Sequence, residues 1–320
     1  MKILVTGGNG FIGRRLINSL VEEGHHDIKV LSRNAENKFP AGVQVLQGDL
    51  TSKDCPFDKF MENGDIIFHC AGELYNIATM RALHVEGTEH LLQAALKEAH
   101  NKKRALHWVQ LSSVGAYGYP LEYIHTERIV TEDTPTQPFG EYEITKTLSD
   151  ELVLQAAKSD LLSYSIVRPS KVFGAGKFNP SLHSLGKMIR NGLFFYIGRP
   201  GAVATYVHVD DVVEVLKLCG TNARARGKVF NISNDCLLEE MINGIASSLE
   251  VSAPRLRFPE RFVRNLASIM ATIAHSPLTQ EQINGLVRRT KYPYTRLKKE
   301  LDYSPKISVP QVISETIFEK

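Results

Sequence analysis

One tryptophan and four cysteines are all that the 320 residues contain of these two types. Cys55, Cys70, Cys219 and Cys236 form no CxxC pair, so no zinc ribbon or redox dithiol is offered, and a chain of this length needs no disulfide staples. Reduced thiols in a cytoplasmic protein, with no metal, are the simple reading. A long apolar run is also missing. No stretch reaches the ~18 uncharged apolar residues of a spanning helix, and the nearest, Phe262 to Ala274, is interrupted by Arg264. Met1-Lys2 passes straight into Ile3-Leu4-Val5, without the apolar region and cleavage site of a signal peptide. An excess of one charge is absent too: 38 Lys and Arg against 35 Asp and Glu leave +3. These charges are interspersed, which disfavours nucleic acid as a main partner.

What is present is the composition of a folded soluble chain, 43% hydrophobic and 23% charged, long enough for about two domains. Short aliphatic runs at Ile3 to Val5, Ile28 to Leu31, Val43 to Leu46, Ile66 to Phe68, Trp108 to Leu111 and Tyr164 to Val167 predict strands. Helix-length segments separate several of them; from Val85 to Leu96 the apolar residues fall on one face. Buried strands alternating with helices predict an α/β fold with a doubly wound parallel sheet. After Pro169 the rhythm loosens, returns at Tyr206 to Val209 and Val229 to Ile232, and beyond Asn234 is mostly helical. This divides the chain into a sheet domain, residues 1–173 plus about 205–234, and a smaller lobe, about 174–204 plus 235–320.

Thr6-Gly7-Gly8-Asn9-Gly10-Phe11-Ile12-Gly13 follows the first strand and opens a helix. Glycine permits the tight turn, Gly10 lets the backbone approach a pyrophosphate, and Gly13 lets the helix lie close to the sheet. A GxGxxG string alone is weak, but after strand 1 of a β/α alternation it predicts a Rossmann dinucleotide site. Where an NAD site commonly has an acid on the ribose, the second strand here ends Leu31-Ser32-Arg33-Asn34, with no acid until Glu36. Arg33 suits a 2′-phosphate, so NADP is the expected cofactor and NAD the alternative.

Tyr142 and Lys146 stand four apart in a helical pattern and therefore share a face. An ammonium beside the phenol is expected to favour phenolate and bring the tyrosine toward a useful pKa. YxxxK is common by chance; with the glycine turn and the pair Ser112-Ser113 at a strand end, the chain resembles the extended short-chain dehydrogenase/reductase family, the NAD(P)-dependent sugar-nucleotide epimerases, dehydratases and reductases. Further matches run in order: Gly48-Asp49-Leu50, His69-Cys70-Ala71-Gly72, Val85-Glu86-Gly87-Thr88, Arg168-Pro169-Ser170-Lys171-Val172-Phe173-Gly174, His208-Val209-Asp210-Asp211-Val212 and Glu300 to Pro305.

The resemblance implies a seven-strand Rossmann sheet with the site in a cleft against a smaller C-terminal lobe. It makes Tyr142 the general acid/base, Lys146 the holder of the nicotinamide ribose and Ser113, four residues before Tyr117-Gly118, the donor to the substrate oxygen. Gly7, Gly10, Phe11, Ile12, Gly13, Arg33, Asp49, Leu50, Ala71, Gly72, Lys146, Pro169 and Val172 are the implied cofactor residues. Substrate candidates are His84, Asn179, Arg199 and Tyr206. A homodimer packed through the helices of Val85 and Tyr142 is also implied.

Departures narrow the function. Val114-Gly115 follow Ser113 where the 4,6-dehydratases carry an Asp-Glu pair, which disfavours dehydration. Ala204 replaces an arginine that binds substrate diphosphate, so Arg199, Lys187 or Arg190 would have to substitute. His84 replaces an Asn, and Pro293 stands where an Asp is common. The expected activity is NADP-dependent reduction of a keto group on a nucleotide-linked deoxysugar or related carbonyl compound. A nucleotide-sugar 4-epimerase with tightly bound NAD is the alternative. A hydroxysteroid or flavonoid type dehydrogenase comes third, if Phe262, Leu266, Ile269, Met270 and Ile273 line a cavity rather than pack in the core. A non-catalytic NADP-binding scaffold is disfavoured because Tyr142 and Lys146 are both present.

Overall fold

Aliphatic residues on both sides of a strand can be buried only if helices cover both faces of the sheet. The structure, a computed structural model, describes residues 1–24, 26–34, 39–120, 126–176, 179–273 and 278–318. Its strands β1 (Lys2–Thr6), β2 (Asp27–Ser32), β3 (Gln44–Gln47), β4 (Ile66–His69), β5 (Leu106–Leu111), β6 (Leu162–Pro169) and β7 (Lys228–Ile232) form one sheet. The order is β7-β6-β5-β4-β1-β2-β3, and every neighbouring pair is parallel. All the strands expected from the aliphatic runs are there.

Helices α1 (Phe11–Glu22), α2 (Gly87–Lys102), α3 (Glu141–Ala156) and α4 (Val209–Thr221) lie in the crossovers. Alternation along each strand divides the side chains between two cores. Ile3, Val5, Val30, Phe68 and Val109 face α1 and α4, meeting Leu16, Ile17, Val212 and Leu216. Leu4, Leu31, Ile67 and Trp108 face the other way, onto Leu91, Leu92 and Ala95 of α2 and Val153 of α3. Beyond β6, a third cluster joins Phe173, Leu182 and Tyr196 to Met241, Ile242 and Ile245 of α5 (Leu238–Ser248) and to Val309 and Ile313. The strand order reverses at β1 and β4, where an open α/β sheet leaves its ligand crevice.

Two elements differ from expectation. The helix expected from Val85 begins as a π turn over Ala82–Glu86 and becomes regular only at Gly87; the wider turn sends His84 inward, to 1% exposure, against α3. In α6 (Glu260–Ile273), Val263 and Ala267 pack against Ile283 and Val287 of α7 (Gln280–Val287), but Phe262, Leu266, Ile269 and Met270 are exposed. Core packing therefore accounts for one face of α6 only. Ala274 lies outside the described residues.

A line of polar groups crosses the second core. Thr6 Oγ1 meets His69 Nδ1 at 2.7 Å, His69 Nε2 meets Thr88 Oγ1 at 3.0 Å, and Thr88 Oγ1 meets Ser149 Oγ at 3.1 Å. Gln110 Nε2 donates to Ser149 at 2.8 Å and takes Trp108 Nε1–H on its oxygen at 2.9 Å. Burial holds His69 neutral, well below its usual pKa. It is a satisfied core histidine.

Phe68 is fully buried and its ring lies against Gly220 of α4. Phe68→Ala is expected to cost about 3 to 5 kcal/mol through lost transfer energy and a cavity. Denaturant midpoints read from the fluorescence of Trp108, the single and fully buried tryptophan, measure this.

Candidate active site

The glycine turn after β1 is shaped by contacts that no side chain could share. Gly7 has φ +70°, and a Cβ there would lie 2.5 Å from the carbonyl carbon of Cys70. At Gly13 a Cβ would lie 2.2 Å from the oxygen of Gly7. Gly10 N–H donates to that same oxygen at 2.9 Å, closing the turn. Gly10 caps α1 with no side chain, and the first turn, from Phe11 through Ile12 and Gly13, carries no acid. The positive end of the helix dipole thus faces outward from a cradle of backbone amides, a donor set that fits the diphosphate of a dinucleotide.

The other expected cofactor residues stand around the same edge, beyond the C-terminal ends of the strands. At the end of β2 the buried Ser32 hydroxyl accepts from Asn9 Nδ2 at 2.9 Å and donates to the Asn34 carbonyl at 2.9 Å, tying the strand end to the glycine turn. Arg33 beside it is exposed; Glu36 lies outside the described residues. Asp49, after β3, takes Thr51 N–H at 2.9 Å and its hydroxyl at 2.8 Å on one carboxylate oxygen, and Leu50 is buried. Ala71 is buried and Gly72 exposed after β4. Pro169 ends β6, and Val172 sits in the short strand Lys171–Phe173.

The two serines after β5 have different surroundings. Ser112 Oγ is buried and donates to Asp150 Oδ2 at 2.7 Å, an oxygen that also receives Arg168 Nε at 3.2 Å and Nη2 at 3.0 Å. Ser113 Oγ instead accepts from Gly115 N–H at 3.0 Å, capping the 3-10 turn Val114–Tyr117 against which α3 packs. That bond uses a lone pair and leaves the hydroxyl proton available. The environments favour Ser113 over Ser112 as a donor to substrate.

Tyr142 lies in the first turn of α3 and Lys146 one turn on, 4% exposed. The expected lowering of the Tyr142 pKa by Lys146 is not met. Burial, reinforced by Glu143, Asp150 and Tyr119, pushes Tyr142 up to about 12. Burial also lowers the Lys146 ammonium, against the opposing pull of Asp150. Tyr142 is a phenol at neutral pH, as an ordinary tyrosine is, and its surroundings hold the proton more tightly.

His84 is not placed to meet a substrate. Its Nε2 accepts from Glu73 N–H at 2.8 Å and its Nδ1 meets Thr145 Oγ1 at 2.8 Å, a hydroxyl that donates to Glu141 O at 2.7 Å. Both nitrogens are committed, the ring stands edge-on to Tyr142 at 5.7 Å, and burial lowers its pKa to about 3. Asn179 spends its side-chain oxygen capping the helix Pro180–Arg190, and Arg199 is exposed. Tyr206 lies edge-to-face with Phe173 at 6.1 Å, with Lys171 Nζ 5.5 Å above its ring.

The chain matches the NAD dependent epimerase/dehydratase family over residues 3–233. It belongs to that family. A UDP-glucose 4-epimerase from Vibrio cholerae is 24% identical over 80% of this chain and 78% of its own length. A 2-alkyl-3-oxoalkanoate reductase from Stenotrophomonas maltophilia is 23% identical over 97% of each chain. Among solved structures, a UDP-glucose 4-epimerase from Thermotoga maritima shares the fold with a TM-score of 0.73 at 20% identity, covering 99% of this chain and 97% of that one. Relatives in this family are epimerases, reductases and decarboxylases, and this chain is an enzyme of the same NAD-dependent group.

In this epimerase/dehydratase chain two groups near the site carry no clear local signal. Asp150 continues the spacing of Tyr142 and Lys146 by one more turn, but its partner Arg168 lies 18 positions on, in β6, and no spacing pairs the two. Arg288 is the other. Its guanidinium lies 3.8 Å over the ring of Tyr119, a residue whose charge acts on Tyr142, and nothing in the local sequence distinguishes it from its neighbour Arg289.

His84 yields a pH test. Its folded pKa lies below the unfolded value near 6.5, so the unfolded state binds the extra proton, and the stability tied to the neutral ring is lost as pH falls through 6.5 toward 3. His84→Asn forfeits the Glu73 and Thr145 bonds at pH 7 but also this acid penalty. The stability gap between wild type and variant is expected to shrink by about 2 kcal/mol from pH 7 to pH 5 in urea titrations.

Proposed function

We propose that this enzyme reduces a keto group on a nucleotide-linked sugar or a related carbonyl compound, with NADP(H) as its cofactor. The observation carrying this reading is geometric: Tyr142 and Lys146 stand one turn apart on α3, whose start packs against the 3-10 turn capped by Ser113, so the phenol, the ammonium and the donor hydroxyl that carbonyl reduction uses lie on adjoining elements. A bound nicotinamide supplies the hydride. Gly7, Gly10 and Gly13 hold its diphosphate, Arg33 the 2′-phosphate, and Lys146 the ribose nearest the reacting carbon. Ser113 Oγ–H donates to the carbonyl oxygen and orients it, and Tyr142 Oη passes its proton to that oxygen as charge develops there. Two relatives matched along more than nine-tenths of both chains carry reductase names, which supports the direction. If the substrate bears a diphosphate, Lys171 and Arg288, above Tyr206 and Tyr119, join Arg199, Lys187 and Arg190 as the cations able to take over from the missing arginine at position 204.

The second reading, a 4-epimerase of a nucleotide sugar with resident NAD, is favoured by the printed activity of the Vibrio cholerae relative. Protein that purifies with bound nicotinamide and needs none added establishes it over the reductase. In either case the four free cysteines suit a cytoplasmic setting, and a homodimer through α2 and α3, where Ile144 and Leu154 are partly exposed, is the proposed assembly; light scattering measures it.

Tyr142→Phe is expected to lower turnover by about 10²-fold or more with cofactor affinity nearly unchanged. NADP(H) is expected to bind more tightly than NAD(H). Arg33→Asp should erase or reverse the preference by losing a charge-assisted bond of about 1.5 to 3 kcal/mol and adding repulsion. Calorimetry with all four cofactors decides this, and tighter NAD binding by the wild type removes the NADP assignment.

A further inference from the structure

Helix α6 carries two apolar faces where a surface helix needs one. Val263 and Ala267 are spent on α7. Phe262, Leu266 and Ile269, at i, i+4 and i+7, form a second stripe and are 57%, 46% and 57% exposed, with Met270 at 38% on its margin. The stripe continues through aromatic contacts: Phe258 lies 6.2 Å from Phe262 and 5.1 Å from Phe195, and Leu256, two residues earlier, is 62% exposed. Apolar side chains gathered in this way mark a surface meant to be covered.

The charges around the stripe say by what. Residues 251–273 contain four arginines and a single acid, Glu260. Two of the arginines are paired, Arg264 Nε with that acid at 2.7 Å and Arg257 with Glu239 at 2.8 Å, whereas Arg255 and Arg261 are exposed next to Leu256 and Phe262. A second copy of the chain packed face to face across a two-fold axis would set these cations against their own images. An anionic lipid surface would attract them while taking the apolar stripe into its interface. At 14 residues α6 is about 21 Å long, short of the ~30 Å hydrocarbon core, and no described helix is long and apolar enough to cross a membrane. The orientation left is along the surface. We propose that α6, with Leu256 and Phe258, docks this enzyme reversibly on anionic membranes, Phe262, Leu266 and Ile269 entering the interface and Arg255 and Arg261 meeting lipid phosphates.

Co-sedimentation of the full chain tests this, using vesicles of phosphatidylcholine alone and vesicles of equal parts phosphatidylcholine and phosphatidylglycerol. The wild type is expected to partition onto the mixed vesicles, less so as salt rises, and weakly onto phosphatidylcholine. Phe262→Ser with Ile269→Ser, and separately Arg255→Gln with Arg261→Gln, should each reduce that partitioning about ten-fold or more. All four side chains are exposed, so Trp108 fluorescence and cofactor binding should stay at wild-type values and show that folding is intact. No sedimentation with mixed vesicles, or sedimentation unaffected by either pair, overturns the proposal. So does a concentration-dependent dimer that Phe262→Ser with Ile269→Ser dissolves, which would assign the stripe to self-association.

Discussion

The site depends on how α3 is held against the C-terminal edge of the sheet. The hold is polar. Thr6 of β1, His69 of β4, Thr88 of α2, Ser149 of α3 and Gln110 of β5 form one buried line of hydrogen bonds. Its direction is determined by one end: Thr88 Oγ1 donates to the His84 carbonyl at 2.6 Å, so it accepts from His69, whose other nitrogen accepts from Thr6. A hydrophobic contact would let α3 slide or rotate. A satisfied buried line does not, because each slip would strand a donor or acceptor away from water.

Around this line two further braces act on the same helix. Asp150 gathers Ser112 and Arg168 on one oxygen, coupling α3 to the ends of β5 and β6. His84 couples it through Thr145 to the backbone of Glu73, on the loop leaving β4. Tyr142 and Lys146, one turn apart, ride on the helix that these braces fix. The buried ammonium and the buried phenol have both been driven toward their neutral forms by the same desolvation. Burial thus holds Tyr142 in its phenol form more firmly than an exposed tyrosine is held. The proximity of a cation, taken by itself, argues the other way, and it loses because the low-dielectric surroundings and the nearby acids act on the phenol together.

Much of this was legible. Glycines at 7, 10 and 13 after an aliphatic run specify a strand, a tight turn and a closely packed helix whatever surrounds them, since the exclusion of a Cβ is local. Alternating aliphatic runs specify a two-sided parallel sheet, and the strands at Ile3, Ile28, Ile66 and Trp108 lie within a residue or two of where the pattern puts them. The resemblance that follows from those motifs agrees with the family to which residues 3–233 belong.

What the order of residues by itself determined was the sheet, the glycine turn after β1 and the shared helix face of Tyr142 and Lys146, because each rests on contacts within a few positions or on a simple period. Tertiary structure decided the rest. Which of two adjacent serines is spent on Asp150, whether His84 meets a ligand or braces a helix, where Arg288 comes to lie, and which apolar face of α6 stays uncovered all depend on partners brought from distant segments. Burial, the charge environment and hydrogen-bond commitment are properties of that assembled surrounding, and no local pattern contains them.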